Sequence, residues 1–129
     1  MASQLVLKLL EAAEQDAGAA ERLLSSSPNH AAFWAYQATE SLARAMCALE
    51  DIPDINVHDV ARIAEQLPDS NLFKTNLLCL AHLSSKATDT LWVDRTEATQ
   101  VSPAPRNIKT LINRIKNLHD EMHGWLPAE

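Results

Sequence analysis

The chain has 129 residues, a net charge of −6, only 2 glycines and 5% aromatic residues. That length suits one domain, spanning residues 1–129, that buries about two thirds of its unfolded surface around a single core with no need of a disulfide or metal. Its Ala, Leu and Glu content is poor material for strands, its acidity argues against broad nucleic-acid affinity, and it holds no run of 18 apolar residues that could span a membrane.

The composition predicts an all-α fold, and caps and periodicity place five helices in an up-and-down bundle. The first runs from about Gln4 to Leu24, with Leu5, Leu9, Ala12, Ala13, Ala20, Leu23 and Leu24 on one side. After a serine run, Ser27 is placed to cap the second helix, with Pro28 at its first position, where the missing amide costs nothing. That helix ends before Pro53. Asn56 is placed to cap a short third helix through Leu67, and Asp69 or Ser70 a fourth to about Thr90. A loop over 91–102 leads to the last helix, which starts near Ser102 with Pro103 and Pro105 in its opening turn. It continues to His123, with Gly124 as a left-handed C-cap. The opening Met-Ala-Ser-Gln-Leu lacks a basic segment followed by an apolar one, so no secretory signal is expected and a cytoplasmic location is. Cys47 and Cys79 fall at apolar helix positions without Cys-x-x-Cys spacing, which suits reduced core thiols.

The second helix is the most informative stretch. Between Ala31 and Leu49 its only charged residues are Glu40 and Arg44, so it is apolar nearly all round and must be buried. Ala35, Ala38, Ala43, Ala45 and Ala48 let neighbouring helices approach closely, while Phe33, Trp34 and Tyr36 fill the wider end. With the amphipathic first helix and the turn into His58-Asp59 that opens the third, the segment Tyr36-Gln37-Ala38-Thr39-Glu40-Ser41-Leu42-Ala43-Arg44-Ala45 resembles the HEPN domain, a small helical family of prokaryotes and higher eukaryotes. The family's loop after the fourth helix is rich in Tyr, Arg and Pro, whereas this chain has Leu91-Trp92-Val93-Asp94-Arg95-Thr96 there. The aromatic residue and the arginine persist.

Catalytic members of that family are metal-independent ribonucleases marked by an arginine followed after four to six residues by a histidine. Arg114-Ile-Lys-Asn-Leu-His119 meets that spacing, although Ile115 stands where a polar residue is usual. The resemblance implies that Arg114 would hold the scissile phosphate and His119 would move a proton between the 2′-hydroxyl and the leaving oxygen. On a regular helix the two sit about 140° apart and converge only across a dimer. His119 and His123 share a face at i, i+4, but in His119-Asp-Glu-Met-His123 the glutamate is displaced from the metalloprotease order, so neither a metal site nor a cofactor is expected.

Glu40 and Arg44, four apart with the acid first, read as a helix-face pair that could equally line a polar groove. Asp59 suits a helix start, and His58 can supply a buried hydrogen bond. The last helix departs from the acidic balance, because Arg106, Lys109, Arg114 and Lys116 occur between Val101 and His119 with no acidic residue. Arg106, Lys109, Asn113 and Lys116 share a face that serves either as a solvated surface or as a phosphate or acidic-partner site, with Trp92 and Arg95 as a base-stacking or cation–π element beside it. Trp34, Trp92 and Trp125 and the apolar faces exceed what one small bundle covers, which predicts a homodimer. The resemblance then implies a module that binds a nucleotide or RNA, or pairs with a small nucleotidyltransferase in a toxin-antitoxin type of system. The alternatives are a ribonuclease using Arg114 and His119, and a structural dimer with no ligand.

Overall fold

A computed structural model describes residues 3–88 and 105–126. They form five helices: α1 (Ser3–Leu23), α2 (Pro28–Leu49), α3 (Val60–Glu65), α4 (Lys74–Thr88) and α5 (Pro105–Trp125), with no strand among the described residues. Trp92, Arg95, Ser102 and Pro103 lie outside the described residues.

The alanine-lined segment is the enclosed axle of the bundle, since α2 touches each of the other four helices. Ala31, Ala32, Ala35, Ala38, Leu42, Ala43, Ala45 and Met46 are all buried on it. Small side chains set the spacing. On α1 the buried positions Val6, Leu10, Ala13, Ala17 and Ala20 follow a 4-3-4-3 rhythm, so a line of alanines meets the alanines of α2 and the two backbones come close. The same rhythm on α5 buries Ile108, Leu111, Ile115, Leu118 and Met122. Leu5, expected on the buried side of α1, is exposed, as is Leu7. The run Leu5-Val6-Leu7 is apolar all round, so periodicity alone does not fix which residue turns inward, and contact with α2 and α5 selects Val6.

Several helix ends differ from expectation. Asp59, not Asn56, caps α3, its carboxylate accepting from the amides of Ala61 at 3.1 Å and Arg62 at 3.4 Å. Asn71, not Asp69 or Ser70, organises the start of α4. Its Oδ1 accepts from the Phe73 amide at 2.8 Å, and its Nδ2 donates to Glu50 Oε1 at 3.2 Å, tying α4 to the end of α2. Ser27 stands at the cap position before α2, but its hydroxyl meets His30 Nδ1 rather than a helix amide. Gly124 is not a left-handed cap: α5 runs through it to Trp125, and no glycine has a positive φ among the described residues.

The end of α2 carries the left-handed residue instead. Asp51 has φ 57°, the Ile52 amide donates to Cys47 O at 2.9 Å and the Asp51 amide to Ala48 O at 3.1 Å. This pairing is a Schellman motif with aspartate where glycine is usual, and Pro53 follows it.

Candidate functional site

The inward stripe of α5 leaves one flank of that helix facing α4 and the other facing α1. Arg114, Asn117 and Glu121 recur at i, i+3 and i+7 on the α4 flank, and Asn76, Cys79 and Leu80 stand opposite on α4. These six, with Leu118, line a cleft of about 230 Å³. Leu80 and Leu118 are buried and form its apolar floor, while Asn76, Cys79, Arg114, Asn117 and Glu121 are exposed at its walls. Cys79 was expected to be a core thiol and is not. Because α4 shows only its Leu77-Leu80-Ala81-Ser84 side to the core, Cys79 is turned out toward Arg114, whose Nη1 lies 3.9 Å from its sulfur. No carboxylate pairs with the Arg114 guanidinium among the described residues.

His119 lies on the other flank. It is buried, with Nδ1 3.1 Å from Asp120 Oδ1 and Nε2 3.7 Å from Glu14 Oε2 on α1. Its ring stacks on His123 at 6.1 Å between centroids and 24° between planes. Within one protomer the structure therefore separates Arg114 from His119. Among the described residues no group of three or more His, Cys, Asp or Glu side chains is placed to hold a metal ion.

The charged face of α5 is also divided. Lys116 reaches α1 and bonds Glu21 at 3.1 and 3.4 Å, while Arg106 and Lys109 are exposed and unpaired among the described residues. An exposed ion pair of the Lys116 kind contributes about 0–1 kcal/mol, so its first effect is to occupy one lysine of the stripe.

A family model described as the HEPN domain matches residues 6–125. This chain belongs to the HEPN domain family. No curated protein and no solved structure matches it. The match covers the HEPN bundle from the buried Val6 at the start of α1 to Trp125 at the end of α5.

Elsewhere in this HEPN domain, the Glu40–Arg44 pair serves the connector between α2 and α3. Arg44 Nε lies 3.2 Å from Glu40 Oε2, and the same guanidinium reaches Asp54 and the carbonyls of Ile55 and Val57. His58, read as able to supply a buried hydrogen bond, is itself exposed, but its Nδ1 lies 3.1 Å from Oε2 of the buried Glu40. Tyr36 completes the clamp by donating to the His58 carbonyl at 2.6 Å and accepting from the Val60 amide at 3.3 Å. Burial raises the Tyr36 phenol above its ordinary pKa, against the lowering effect of the Val60 amide.

A second hollow of about 400 Å³ lies between the start of α1 and the end of α2, lined by Leu5, Leu9, Cys47, Ile52 and the connector. The Cys47 thiol there is buried, which raises its pKa and keeps it an unreactive thiol. Since Arg44, the one cation on its wall, is already engaged by the connector, the α4/α5 cleft offers a free cation and the hollow does not. Sequence reading found Arg114 but missed Asn76, Asn117 and Glu121. For Asn117 and Glu121 the signal is the i, i+3, i+7 spacing from Arg114; Asn76 comes from α4 and carries no such signal.

Proposed function

We propose that this chain is a dimeric, single-domain HEPN binding module that takes a nucleotide or a short RNA segment in the α4/α5 cleft. One observation carries the reading: Arg114 opens into a cleft with other unengaged polar groups, whereas His119 is buried on the opposite flank between Glu14 and Asp120. A catalytic arginine and a proton-transferring histidine must reach one phosphodiester, and these two reach different neighbours. The resemblance adds a protein partner, a small nucleotidyltransferase of toxin-antitoxin type. Arg106 and Lys109 supply exposed positive charge along α5 for a phosphate or an acidic surface.

The second reading is a metal-independent ribonuclease in which Arg114 of one protomer meets His119 of its partner. The exposure of Arg114 keeps it in view. Full-length protein is incubated with single-stranded RNA in EDTA, beside its Arg114→Ala and His119→Ala variants. The binding reading expects retention of RNA or nucleotide, weakened by Arg114→Ala, without cleavage. Cleavage lost in both variants would establish the nuclease instead. A folded dimer that neither binds nor cleaves leaves the structural dimer.

A further inference from the structure

Arg114 and Glu121 carry opposite charges, share one flank of α5 and line one cleft, yet they make no ion pair. Seven residues set them about 10 Å apart along the helix, so a flat ring can enter between a donor fork and an acceptor carboxylate. Asn117 stands between them on the same helix, Asn76 stands across the cleft, and Leu80 and Leu118 give an apolar floor for a ring face. The volume of about 230 Å³ is below the ~300–1,000 Å³ typical of sites for drug-sized ligands, which suits a single base rather than a whole nucleotide.

The geometry points to guanine as the base this cleft accepts. Guanine has two adjacent acceptors, N7 and O6, which match a guanidinium fork, and two adjacent donors, N1–H and the 2-amino group, which match a carboxylate. The other bases satisfy the pair less fully. Adenine and uracil have no edge with two adjacent acceptors, and cytosine, which has one, offers a single donor group. In the bound state Arg114 donates to N7 and O6, Glu121 accepts from N1–H and the 2-amino group, and the two asparagines are left for the sugar or the remaining ring edge. This assignment rests on the binding-module reading and makes its ligand specific. The guanine is carried either by a mononucleotide or by single-stranded RNA.

The test uses the full-length protein with the four nucleoside 5′-monophosphates by equilibrium dialysis. Alongside, fluorescence anisotropy compares a labelled octauridine with an octauridine containing one central guanosine. GMP is expected to bind about tenfold or more tightly than AMP, CMP or UMP. Tight binding of the guanosine-containing oligomer as well assigns RNA as the source; GMP binding alone assigns the mononucleotide. Inosine monophosphate, which lacks the 2-amino group, and Glu121→Gln each reduce the preference, and Arg114→Ala removes it. Both side chains are exposed, and a circular-dichroism spectrum confirms that each variant remains helical. Binding of all four bases with equal affinity, or a guanine preference untouched by Glu121→Gln, overturns the assignment while leaving the binding module standing. No binding by any probe removes both.

Discussion

Glu40 is buried one helical turn before Arg44, with Oε2 3.2 Å from the guanidinium Nε. Arg44 also serves Asp54 and the carbonyls of Ile55 and Val57, so one side chain neutralises a buried carboxylate and fixes the backbone that leads to α3. Removing it leaves Glu40 without its main counter-charge and the Val57 carbonyl without its donor, while the Ile55 carbonyl keeps the Val57 amide at 2.8 Å. Arg44→Ala is expected to cost about 2–4 kcal/mol in urea unfolding. Arg44→Lys recovers less than half of that, because a single ammonium cannot reproduce a planar fork serving several acceptors. Full recovery by lysine would show that charge alone matters.

Asp51 occupies the left-handed position that closes α2, where a side chain crowds the backbone and glycine does not. Asp51→Gly is therefore expected to stabilise the protein by about 0.5–1 kcal/mol, and Asp51→Val to destabilise it. Thermal melts of the two variants decide it. A lower melting temperature for the glycine variant would mean that the aspartate side chain stabilises this turn by more than its backbone conformation costs.

The large features of the fold were legible because they rest on composition. The near-absence of charge around Ala38 and Ala43 could only mean a buried helix, and α2 is that helix. What escaped were choices among equivalent local signals. Asn56 and Asp59 are both good caps, and the choice of Asp59 depends on Tyr36 and Arg44, far away in sequence, which hold the preceding backbone. Asp51 takes the left-handed place at α2 while Gly124, the residue type best suited to such a place, continues a helix. The cleft was half visible: Arg114 stood out by its spacing to His119, but its actual neighbours Asn76 and Cys79 come from α4 and have no sequence relation to it.

Asp16, half-buried on α1, makes no hydrogen bond or ion pair among the described residues, and burial raises its carboxyl above the ordinary carboxylate pKa. The folded state thus holds this proton at a higher pH than the unfolded state. Its contribution to stability is fully present below the unfolded value and is lost as pH rises through the folded value; above both, the partly buried charge opposes folding. Asp16→Asn is expected to be more stable than the parent at pH 7, with the difference shrinking as pH is lowered toward 4. Urea midpoints across that range measure it, and a difference that widens in acid would contradict the assignment.

The exposed large apolar side chains gather at one end of the bundle. Leu5 shares a hollow with Ile52 at the end of α2, Asn71 ties the start of α4 to Glu50, and Trp125 meets Phe73 edge-on at 5.8 Å. Leu72 is 65% exposed and Trp125 47%, more than burial of a monomer core requires. A homodimer formed through this end is expected to give twice the chain mass in light scattering at micromolar concentration. Leu72→Ser, with or without Trp125→Ser, is expected to shift it to the monomer while keeping the helical circular-dichroism signal. Leu72→Ser alone is the cleaner variant, since Trp125 also supports Phe73. A monomeric parent would remove the dimer from the reading, and a dimer indifferent to both substitutions would move its interface to another face.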